Sequence, residues 1–239
     1  MLSLRRARLA PSMPLAVEPA SAVRIPASAL TSVRKRALDI IIASVLLVTV
    51  SPIWLITVLL IKATSPGPIL FRQERIGVGG VRFVCLKFRT MHHGVSDAVH
   101  RNLVTQMLET GETSAAGGDG MHYKLSDDPR IIRVGRWMRR TSLDELPQLI
   151  NVLRGEMSIV GPRPPLPYEV ERYEDWQQER LSVRPGITGL WQVSGRNRLT
   201  YNEMCALDIE YLRNWSVATD MLIMLSTPWV MFVDRGGAS

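Results

Sequence analysis

The longest apolar segment of the chain runs from Ile40 to Ile61 and contains 22 consecutive residues without a charge. A straight helix of this length would measure about 33 Å at roughly 1.5 Å per residue, close to the thickness of a bilayer hydrocarbon core. A helix buried in a soluble core is the alternative, but it would need apolar surroundings on every face. The pattern therefore favours insertion in a membrane.

The Ser51–Pro52 pair in the middle of this segment predicts a break, because proline lacks a backbone N–H and clashes with the preceding helical turn. Basic residues flank the segment on both sides, so the positive-inside rule gives a single span no orientation. A helix–break–helix hairpin that enters and leaves on the cytoplasmic side satisfies both observations, and the Ser51 hydroxyl is available to a carbonyl freed at the break. A single spanning helix remains the alternative. Asp39 is expected at interfacial depth, paired with Arg36 or an interfacial amide.

Residues 1–36 are predicted to be a disordered basic tail, since they hold four prolines, many Ala and Ser, and no apolar period. They contain seven basic residues and one acid, whereas the other 203 residues contain 22 basic and 21 acidic side chains. The net charge of +7 is therefore almost confined to the tail, and no nucleic-acid binding by the main domain is expected. A solvated tail near anionic lipid is favoured over an organelle transit peptide.

Beyond the apolar segment, two runs of alternating apolar and polar residues flank a Gly-rich turn at 77–80 and predict a β-hairpin, with Val81, Phe83 and Cys85 on one face. The turn lacks the spacing and the following helix of a dinucleotide-binding loop. Two cysteines exclude a disulfide scaffold, and the four histidines follow no zinc-ligand spacing. The 239 residues, 46% of them apolar, suffice for one domain with a sizeable core.

Two further segments carry weaker signals. Residues 94–120 are predicted to be a surface insertion, with a helix followed by a mobile Gly-rich loop. The uncharged segment 221–233, which contains Pro228, is too short to span a membrane. It is predicted to be a core helix or an interfacial helix.

Five arginines crowd residues 130–140, and the acidic pair Asp144 and Glu145 follows them. Thr141 and Ser142 fit a helix N-cap pattern, so on spacing alone the acids are typical of a first helical turn that offsets the macrodipole. The arginines change this interpretation, because guanidiniums around a helix N-terminus are typical of a phosphate site. An acid there repels phosphate unless it is a nucleophile or a metal ligand, and Mg²⁺ would screen a diphosphate from a carboxylate.

Two later loops combine rigid backbone with polar side chains. GPRPPLP, residues 161–167, is either a rigid linker or a stiff loop that presents Arg163. RPGITGLWQVSGRN, residues 184–197, is either an ordinary turn or a loop that contacts a polar ligand. The polar side chains of the second loop are Arg184, Gln192, Arg196 and Asn197.

Four strings occur along the chain in a fixed order. They are KRALDIIIASVLLVTVSPIWLITVLLIKATSPGPILFRQERIG, KFRTM, RRTSLDELPQLINVLRGEMSIVGPRP and RPGITGLWQVSGRN. Together they resemble the bacterial sugar transferase family, the monotopic polyprenyl-phosphate sugar-1-phosphate transferases, and within it the exopolysaccharide-initiating branch. The resemblance covers about residues 31–235.

This resemblance implies transfer of a sugar-1-phosphate from a UDP-sugar, with UDP-glucose or UDP-galactose expected, to undecaprenyl phosphate. UMP would be released, a covalent aspartyl phospho-sugar intermediate would form, and Mg²⁺ would be required. The reaction would initiate exopolysaccharide synthesis at the bacterial inner membrane. A catalytically inert membrane-anchored scaffold of polysaccharide assembly is the alternative function.

The resemblance also implies roles for individual residues. Asp144 corresponds to the nucleophile, at which Mg²⁺ lies, and Glu145 to the residue that assists it. Lys87, Arg139 and Arg163 correspond to the basic ligands of the substrate phosphates. The family's Ser-Pro break matches Ser51 and Pro52.

The sequence thus predicts an α+β, mainly helical, monotopic membrane protein. Residues 1–36 would be the tail, residues 37–64 a re-entrant membrane hairpin, and residues 65–239 a cytoplasmic catalytic domain with an interfacial C-terminal segment. The expected partners are the UDP-sugar, undecaprenyl phosphate and the lipid bilayer. Association into a homo-oligomer stays open, and a single-pass anchor with a nucleotide-binding domain is a further alternative.

Overall fold

The computed structural model describes residues 33–92, 130–195 and 199–232. Within these ranges the chain is mainly helical with two small sheets, which confirms the α+β class. The predicted insertion 94–120, Arg196, Asn197 and most of the predicted tail lie outside the described residues.

The helices and strands of the described ranges are as follows. The helices are α1 Val33–Thr49, α2 Ser51–Thr64, α3 Arg133–Arg140, α4 Gln148–Arg154, α5 Pro167–Val170, α6 Asp175–Gln178, α7 Leu190–Ser194, α8 Tyr201–Arg213 and α9 Val217–Phe232. The strands are β1 Leu70–Ile76, β2 Arg82–Phe88, β3 Ser158–Val160 and β4 Gly186–Thr188. Short 3₁₀ turns cover Val78–Gly80, Leu143–Glu145 and Glu179–Ser182.

The apolar segment forms α1 and α2, which are bent by 60° at the predicted break. Pro52 lies in the first turn of α2, where a helix needs no N–H from that residue. The Ser51 hydroxyl donates to the Val48 carbonyl at 2.8 Å, as predicted for a carbonyl freed at the break. No helix of the described ranges is by itself long and apolar enough to cross a membrane, whereas the bent pair together has the required length and composition.

A buried ion pair joins α1 to α9. Lys35 Nζ lies 2.7 Å from Asp220 Oδ2, and the two side chains are 7% and 2% exposed. Lys35 also donates to the Val160 carbonyl of β3 at 3.1 Å. The hydroxyl of Tyr211 and the indole N–H of Trp215 donate to the same Asp220 carboxylate, at 2.7 and 3.1 Å. Asp220 therefore fixes α1 to the C-terminal helices, and Lys35 also fixes α1 to β3.

Asp39 and Arg36 attach α1 to the region of β3 and α4. Asp39 accepts hydrogen bonds from the Ser158 hydroxyl and from the Ile159 backbone N–H, at 2.9 and 3.0 Å. The prediction of an amide partner is confirmed, and the alternative pairing with Arg36 is wrong, because Arg36 instead donates to two carbonyls at the end of α4. Helix α1 begins at Val33 and so includes the last four residues of the range given for the tail.

Two short sheets follow the hairpin helices. Strands β1 and β2 are antiparallel, with Gln73 opposite Cys85, which confirms the predicted hairpin and its Phe83–Cys85 face. Strands β3 and β4 are parallel, with Ser158 opposite Gly186. The parallel pair brings together two segments that lie almost thirty residues apart in the chain.

The main core lies between α1, α4, the sheets and α8. Asn151 of α4 is buried at its edge, where its side-chain oxygen accepts from the Leu86 N–H and its amide donates to the Val84 carbonyl. The Asn151 side chain thus hydrogen-bonds to polar backbone groups of β2 that would otherwise be buried without a partner. Fully buried core members include Cys85, Val152, Met157, Val160, Tyr211 and Leu212.

Large apolar side chains remain exposed on the hairpin and on α9. On α1 and α2 they include Ile41, Val45, Val48, Leu55, Ile56 and Leu59, and on α9 Leu222, Leu225 and Trp229. The helix α9 continues through Pro228 and is longer than the predicted apolar segment. Such continuous apolar surface is typical of a face that contacts lipid or protein.

Replacing Lys35 by Met is expected to lower the free energy of unfolding by about 3–5 kcal/mol, because the Asp220 carboxylate stays buried without its cation. Thermal or denaturant unfolding of the protein in detergent measures this loss. The control is Lys62→Met, at the exposed end of α2, for which a change within about 0.5 kcal/mol is expected. Equal effects of the two variants would contradict the structural role of the pair.

Candidate active site

The acidic pair lies in a tight turn that precedes a helix. Asp144 and Glu145 belong to the 3₁₀ turn Leu143–Glu145, and α4 begins only at Gln148, after Pro147. The prediction that the two acids form the first turn of an α-helix is therefore wrong. The turn packs between α3 and the C-terminal part of β2, so it meets the basic segment on one side and the hairpin on the other.

The predicted helix N-cap at this turn is also wrong. The Thr141 hydroxyl donates backwards to the Trp137 carbonyl at 2.9 Å and so closes the end of α3. Ser142 has a φ of 53°, in the left-handed region, and forms no cap hydrogen bond through its side chain. A non-glycine residue in this region is strained by roughly 1–2 kcal/mol, which the surrounding packing has to offset.

The turn brings the predicted catalytic acids to one of the predicted phosphate ligands. Asp144 is buried, with 7% of its surface exposed. Glu145 Oε1 lies 2.9 Å from Lys87 Nζ, and the side chains of this pair are 31% and 23% exposed. An ion pair this exposed adds little stability, so its main effect is to orient Lys87 beside the acidic turn.

Arg163 lies next to a cation that the sequence reasoning missed. The Arg75 guanidinium is buried and donates to Gln73 Oε1 at 2.6 Å and to the Pro164 carbonyl at 2.8 Å. Burial lowers the pKa of Arg75, and the neighbouring positive charge of Arg163 lowers it further. The alternation of side chains along the two strands could have indicated Arg75 as a site residue. In the observed register Arg75 and Lys87 lie on the same face of the hairpin.

The buried thiol of Cys85 is affected by the charged side chains on both hairpin strands and on the neighbouring loops. Burial raises the pKa of its thiol, and the positive charges of Lys87, Arg75 and Arg163 oppose that rise, whereas Glu145 adds to it. Three cations and one acid therefore lie within electrostatic reach of the Cys85 thiol.

Arg139 lies at the C-terminal end of α3, near the KFRTM string. Its Nη2 is 4.0 Å from the sulfur of Met91. Gly135 of α3 contacts the Thr90 carbonyl so closely that a Cβ at this position would overlap it. Because α3 contacts both the 87–91 segment and the acidic turn, Arg139 and Lys87 belong to the same part of the fold.

The two Gly- and Pro-rich loops form one unit. The Gly161 N–H donates to the Thr188 carbonyl at 2.9 Å, and the Gly186 N–H donates to the Pro162 carbonyl at 2.8 Å. A Cβ on Gly161 or Gly186 would overlap the opposite backbone. The GPRP loop is thus held rigidly beside β4, which supports the interpretation that it presents Arg163.

The predicted substrate contacts of the second loop lie in different places. The Arg184 Nε donates to the Gly155 carbonyl at 2.9 Å, and Arg184 lines a small cavity with Lys35 and Asp39. That cavity includes none of the predicted catalytic or phosphate-binding residues. Gln192 donates to the Ile187 carbonyl at 3.3 Å. A substrate contact for either residue stays a prediction.

The donor set suits a magnesium ion that is shared with substrate. Among the described residues, no group of three or more His, Cys, Asp or Glu side chains is arranged to hold a metal. Mg²⁺ commonly binds one or two carboxylates and completes its shell with water and substrate phosphates. The buried Asp144 carboxylate, next in the chain to the Glu145 that is paired with Lys87, fits that kind of site.

Comparison with known proteins gives one consistent result. Residues 30–234 match the family described as bacterial sugar transferase. The chain is 42% identical over 204 residues to the exopolysaccharide production protein ExoY of Sinorhizobium fredii, across 85% of this chain and 88% of that protein.

Two further relatives have names that state a reaction. The undecaprenyl-phosphate galactose phosphotransferase of Salmonella typhimurium is 41% identical over 205 residues, which cover 85% of this chain and 41% of the relative. The UDP-glucose:undecaprenyl-phosphate glucose-1-phosphate transferase of Caulobacter vibrioides is 41% identical over 206 residues, which cover 81% of this chain and 68% of the relative.

Replacing Ser142 by Gly is expected to raise the free energy of unfolding by up to about 1 kcal/mol, because glycine adopts a positive φ without strain. Ser142→Val should lower it by about 1–2 kcal/mol. Thermal unfolding measures both changes. The control is Ser194→Gly in helix α7, which should lower stability by about 0.5–1 kcal/mol. A loss for Ser142→Gly as large as that of the control would rule out the left-handed turn.

Proposed function

The chain belongs to the bacterial sugar transferase family, and we propose that it transfers a sugar-1-phosphate from UDP-glucose or UDP-galactose to undecaprenyl phosphate. UMP and the polyprenyl diphosphate sugar are the products, and exopolysaccharide synthesis begins with this step. The observation that carries the proposal is the buried Asp144, held in a tight turn whose next residue, Glu145, is paired with Lys87. The named relatives, one for galactose and one for glucose, support the two donors.

Asp144 is the proposed nucleophile of the first step. Its carboxylate oxygen attacks the phosphorus that carries the sugar, the bond from that phosphorus to the bridging oxygen breaks, and UMP leaves with the electron pair. An acyl phosphate ester between Asp144 and the sugar results. The 3₁₀ turn fixes the carboxylate in position, so that little reorganisation is needed at the moment of attack.

The second step regenerates the carboxylate. A phosphate oxygen of undecaprenyl phosphate attacks the same phosphorus, and the bond to Asp144 breaks. The sugar-1-phosphate is then joined to the lipid phosphate as a diphosphate, and Asp144 is ionised again. Two in-line displacements at one phosphorus allow a single nucleophile to serve both substrates in turn.

The basic residues stabilise the charge of the diphosphate. Lys87 has three N–H donors, so it can hold Glu145 and a phosphate oxygen at the same time. Arg163 and Arg139 offer planar donors that suit two phosphate oxygens. Glu145 keeps Lys87 in place in this scheme. Mg²⁺, when held by Asp144 and the substrate phosphates, would neutralise charge that develops on the phosphate oxygens.

The hairpin α1–α2 is the proposed membrane anchor. Its 60° bend, its exposed apolar surface and the polar attachments at its start are consistent with a segment that enters and leaves on one side. The exposed Trp229 and its apolar neighbours on α9 suit an interfacial position. We place the enzyme on the inner membrane with its site on the cytoplasmic side, where nucleotide sugars are available.

Purified protein in lipid, supplied with Mg²⁺ and undecaprenyl phosphate, is expected to release UMP from one member of a panel of UDP-sugars. Asp144→Asn should lower this rate by at least about 10³-fold, as the loss of a nucleophile does elsewhere. Asp175→Asn, an exposed acid at the start of α6, is the control and should be unaffected. Chelation by EDTA should stop the reaction, and added Mg²⁺ should restore it.

Omitting undecaprenyl phosphate tests the covalent step alone. The wild type should release no more than about one UMP per protein and retain the labelled sugar phosphate, whereas Asp144→Asn should do neither. UMP release by that variant at the wild-type rate would exclude Asp144 as nucleophile. No release from any donor by folded wild-type protein would favour the inert scaffold.

Cysteine labelling tests the re-entrant arrangement. Single cysteines at Val33 and Ala63, both exposed, should be modified by an impermeant maleimide from the same side of sealed vesicles. The native Cys85 and Cys205 need not be removed, because both are buried and burial raises their pKa, that of Cys205 to about 11. Modification of the two introduced cysteines from opposite sides would establish a single span instead.

A further inference from the structure

Behind the loop that carries Arg163 lies a buried ion pair that the proposed reaction does not use. Arg180 Nε and Nη2 lie 2.9 and 2.8 Å from Asp208 Oδ2, and the side chains are 5% and 1% exposed. Burying two charges is expensive, and apolar residues of similar volume often stabilise a core at least as well. Stability alone therefore does not account for this pair.

The pair meets both polar groups of the Arg163 backbone. Arg180 Nη2 donates to the Arg163 carbonyl at 3.4 Å. The backbone N–H of Arg163 lies close to Asp208 and favours its ionised form, so that the pKa of this carboxyl is lower than burial alone would make it. Arg180 thus binds the carbonyl of Arg163, and the anion that holds Arg180 lies beside the N–H of the same residue.

Aromatic and sulfur groups fix Arg180 in this position. Arg180 Nη1 donates to the Tyr173 hydroxyl at 2.6 Å and to the Cys205 sulfur at 3.3 Å. Tyr201 donates to the Tyr173 hydroxyl at 3.0 Å, so the network reaches α8 by a second route. A guanidinium with partners at each of its nitrogens has one defined orientation.

The opposite side of the loop is held by the hairpin. Arg75 donates to the Pro164 carbonyl at 2.8 Å, and the Ile76 N–H donates to the Pro165 carbonyl at 3.0 Å. Three successive residues, from Arg163 to Pro165, therefore have carbonyls bound by other elements. The loop lies between two buried arginines that act on its backbone.

We propose that Asp208 and Arg180 are positioning residues that fix the backbone of Arg163 and thereby aim its guanidinium at the donor diphosphate. This inference rests on the proposed function, in which Arg163 binds a substrate phosphate. Preorganised donors stabilise developing charge without reorganising during the reaction. The pair acts through Arg163 and touches no reacting atom.

The charge state of Asp208 makes Asp208→Asn a suitable test variant. Burial raises the pKa of Asp208 to about 6, and the positive charge of Arg180 opposes that rise. The carboxylate is therefore ionised at pH 7.5. Asp208→Asn keeps the shape and removes the charge. Glu210→Gln, an exposed acid two residues along α8, is the matched control.

Amide hydrogen exchange of the full-length protein measures directly how firmly the backbone of the Arg163 loop is held. Because Pro162, Pro164 and Pro165 have no N–H, the Arg163 amide is the only one between residues 162 and 165. In Asp208→Asn its exchange should be at least about tenfold faster, and in Glu210→Gln it should match the wild type. Unchanged exchange in Asp208→Asn would overturn the inference, whatever the activity.

A double-mutant cycle then tests whether Asp208 acts through Arg163. Asp208→Asn should lower kcat/KM for UMP release about 10–100-fold in the wild-type background, and less than about threefold in the Arg163→Gln background. A merely structural role would give the same loss in both backgrounds, which would overturn the inference. Glu210→Gln should leave kcat/KM unchanged.

The two measurements separate the inference from the proposed function. If wild-type protein releases no UMP, the proposed function fails, and exchange of the Arg163 amide still decides whether the pair holds the loop. If Asp208→Asn does not fold, Arg180→Lys replaces it, because lysine keeps the charge but lacks the planar donors that reach both Asp208 and Arg163. If the Arg163 amide of Arg180→Lys exchanged at the wild-type rate, that result would likewise overturn the inference.

Discussion

The position of the apolar hairpin depends on one buried carboxylate, that of Asp220. It binds Lys35 of α1 and also accepts from Tyr211 and Trp215, so that the start of the hairpin, helix α8 and helix α9 meet at one point. Lys35 and Tyr211 both donate to the Val160 carbonyl as well, and Val160 ends the strand that leads into the GPRP loop. Removing a single side chain from this cluster leaves buried charge unpaired. Through Val160, the cluster joins the hairpin to the start of the GPRP loop.

The site gathers positive charge before any substrate is present. Lys87, Arg75 and Arg163 all act on the Cys85 thiol of β2, and Lys87 is paired with Glu145 of the acidic turn. Burial is the main cause of the lowered pKa of Arg75, and the positive charge of Arg163 contributes to it. In the proposed reaction a bound diphosphate would offset this repulsion between the cations, so that donor binding and stability of the fold would favour each other.

Local chemistry explains which features could be predicted from sequence. The break at Ser51–Pro52, the β-hairpin and the amide partner of Asp39 depend on proline geometry, alternation and charge burial, which a linear pattern records. The left-handed Ser142 is set by how α3 and α4 are joined, and the place of Arg184 by its hydrogen bond to the Gly155 carbonyl at the end of α4. Those constraints come from residues distant in the chain, and so no pattern around either position indicated them.

The chain segment that joins the attachment point of the α1–α2 hairpin, Val160, to Arg163 of the GPRP loop is short. From Val160, which binds Lys35, to Arg163 the backbone can extend by no more than about 10 Å. With the hairpin in the membrane as proposed, Arg163 lies no farther than this along the chain from a residue bound to the start of the hairpin. Under the same proposal, a lipid phosphate that diffuses within the membrane plane would approach this arginine by a search in two dimensions.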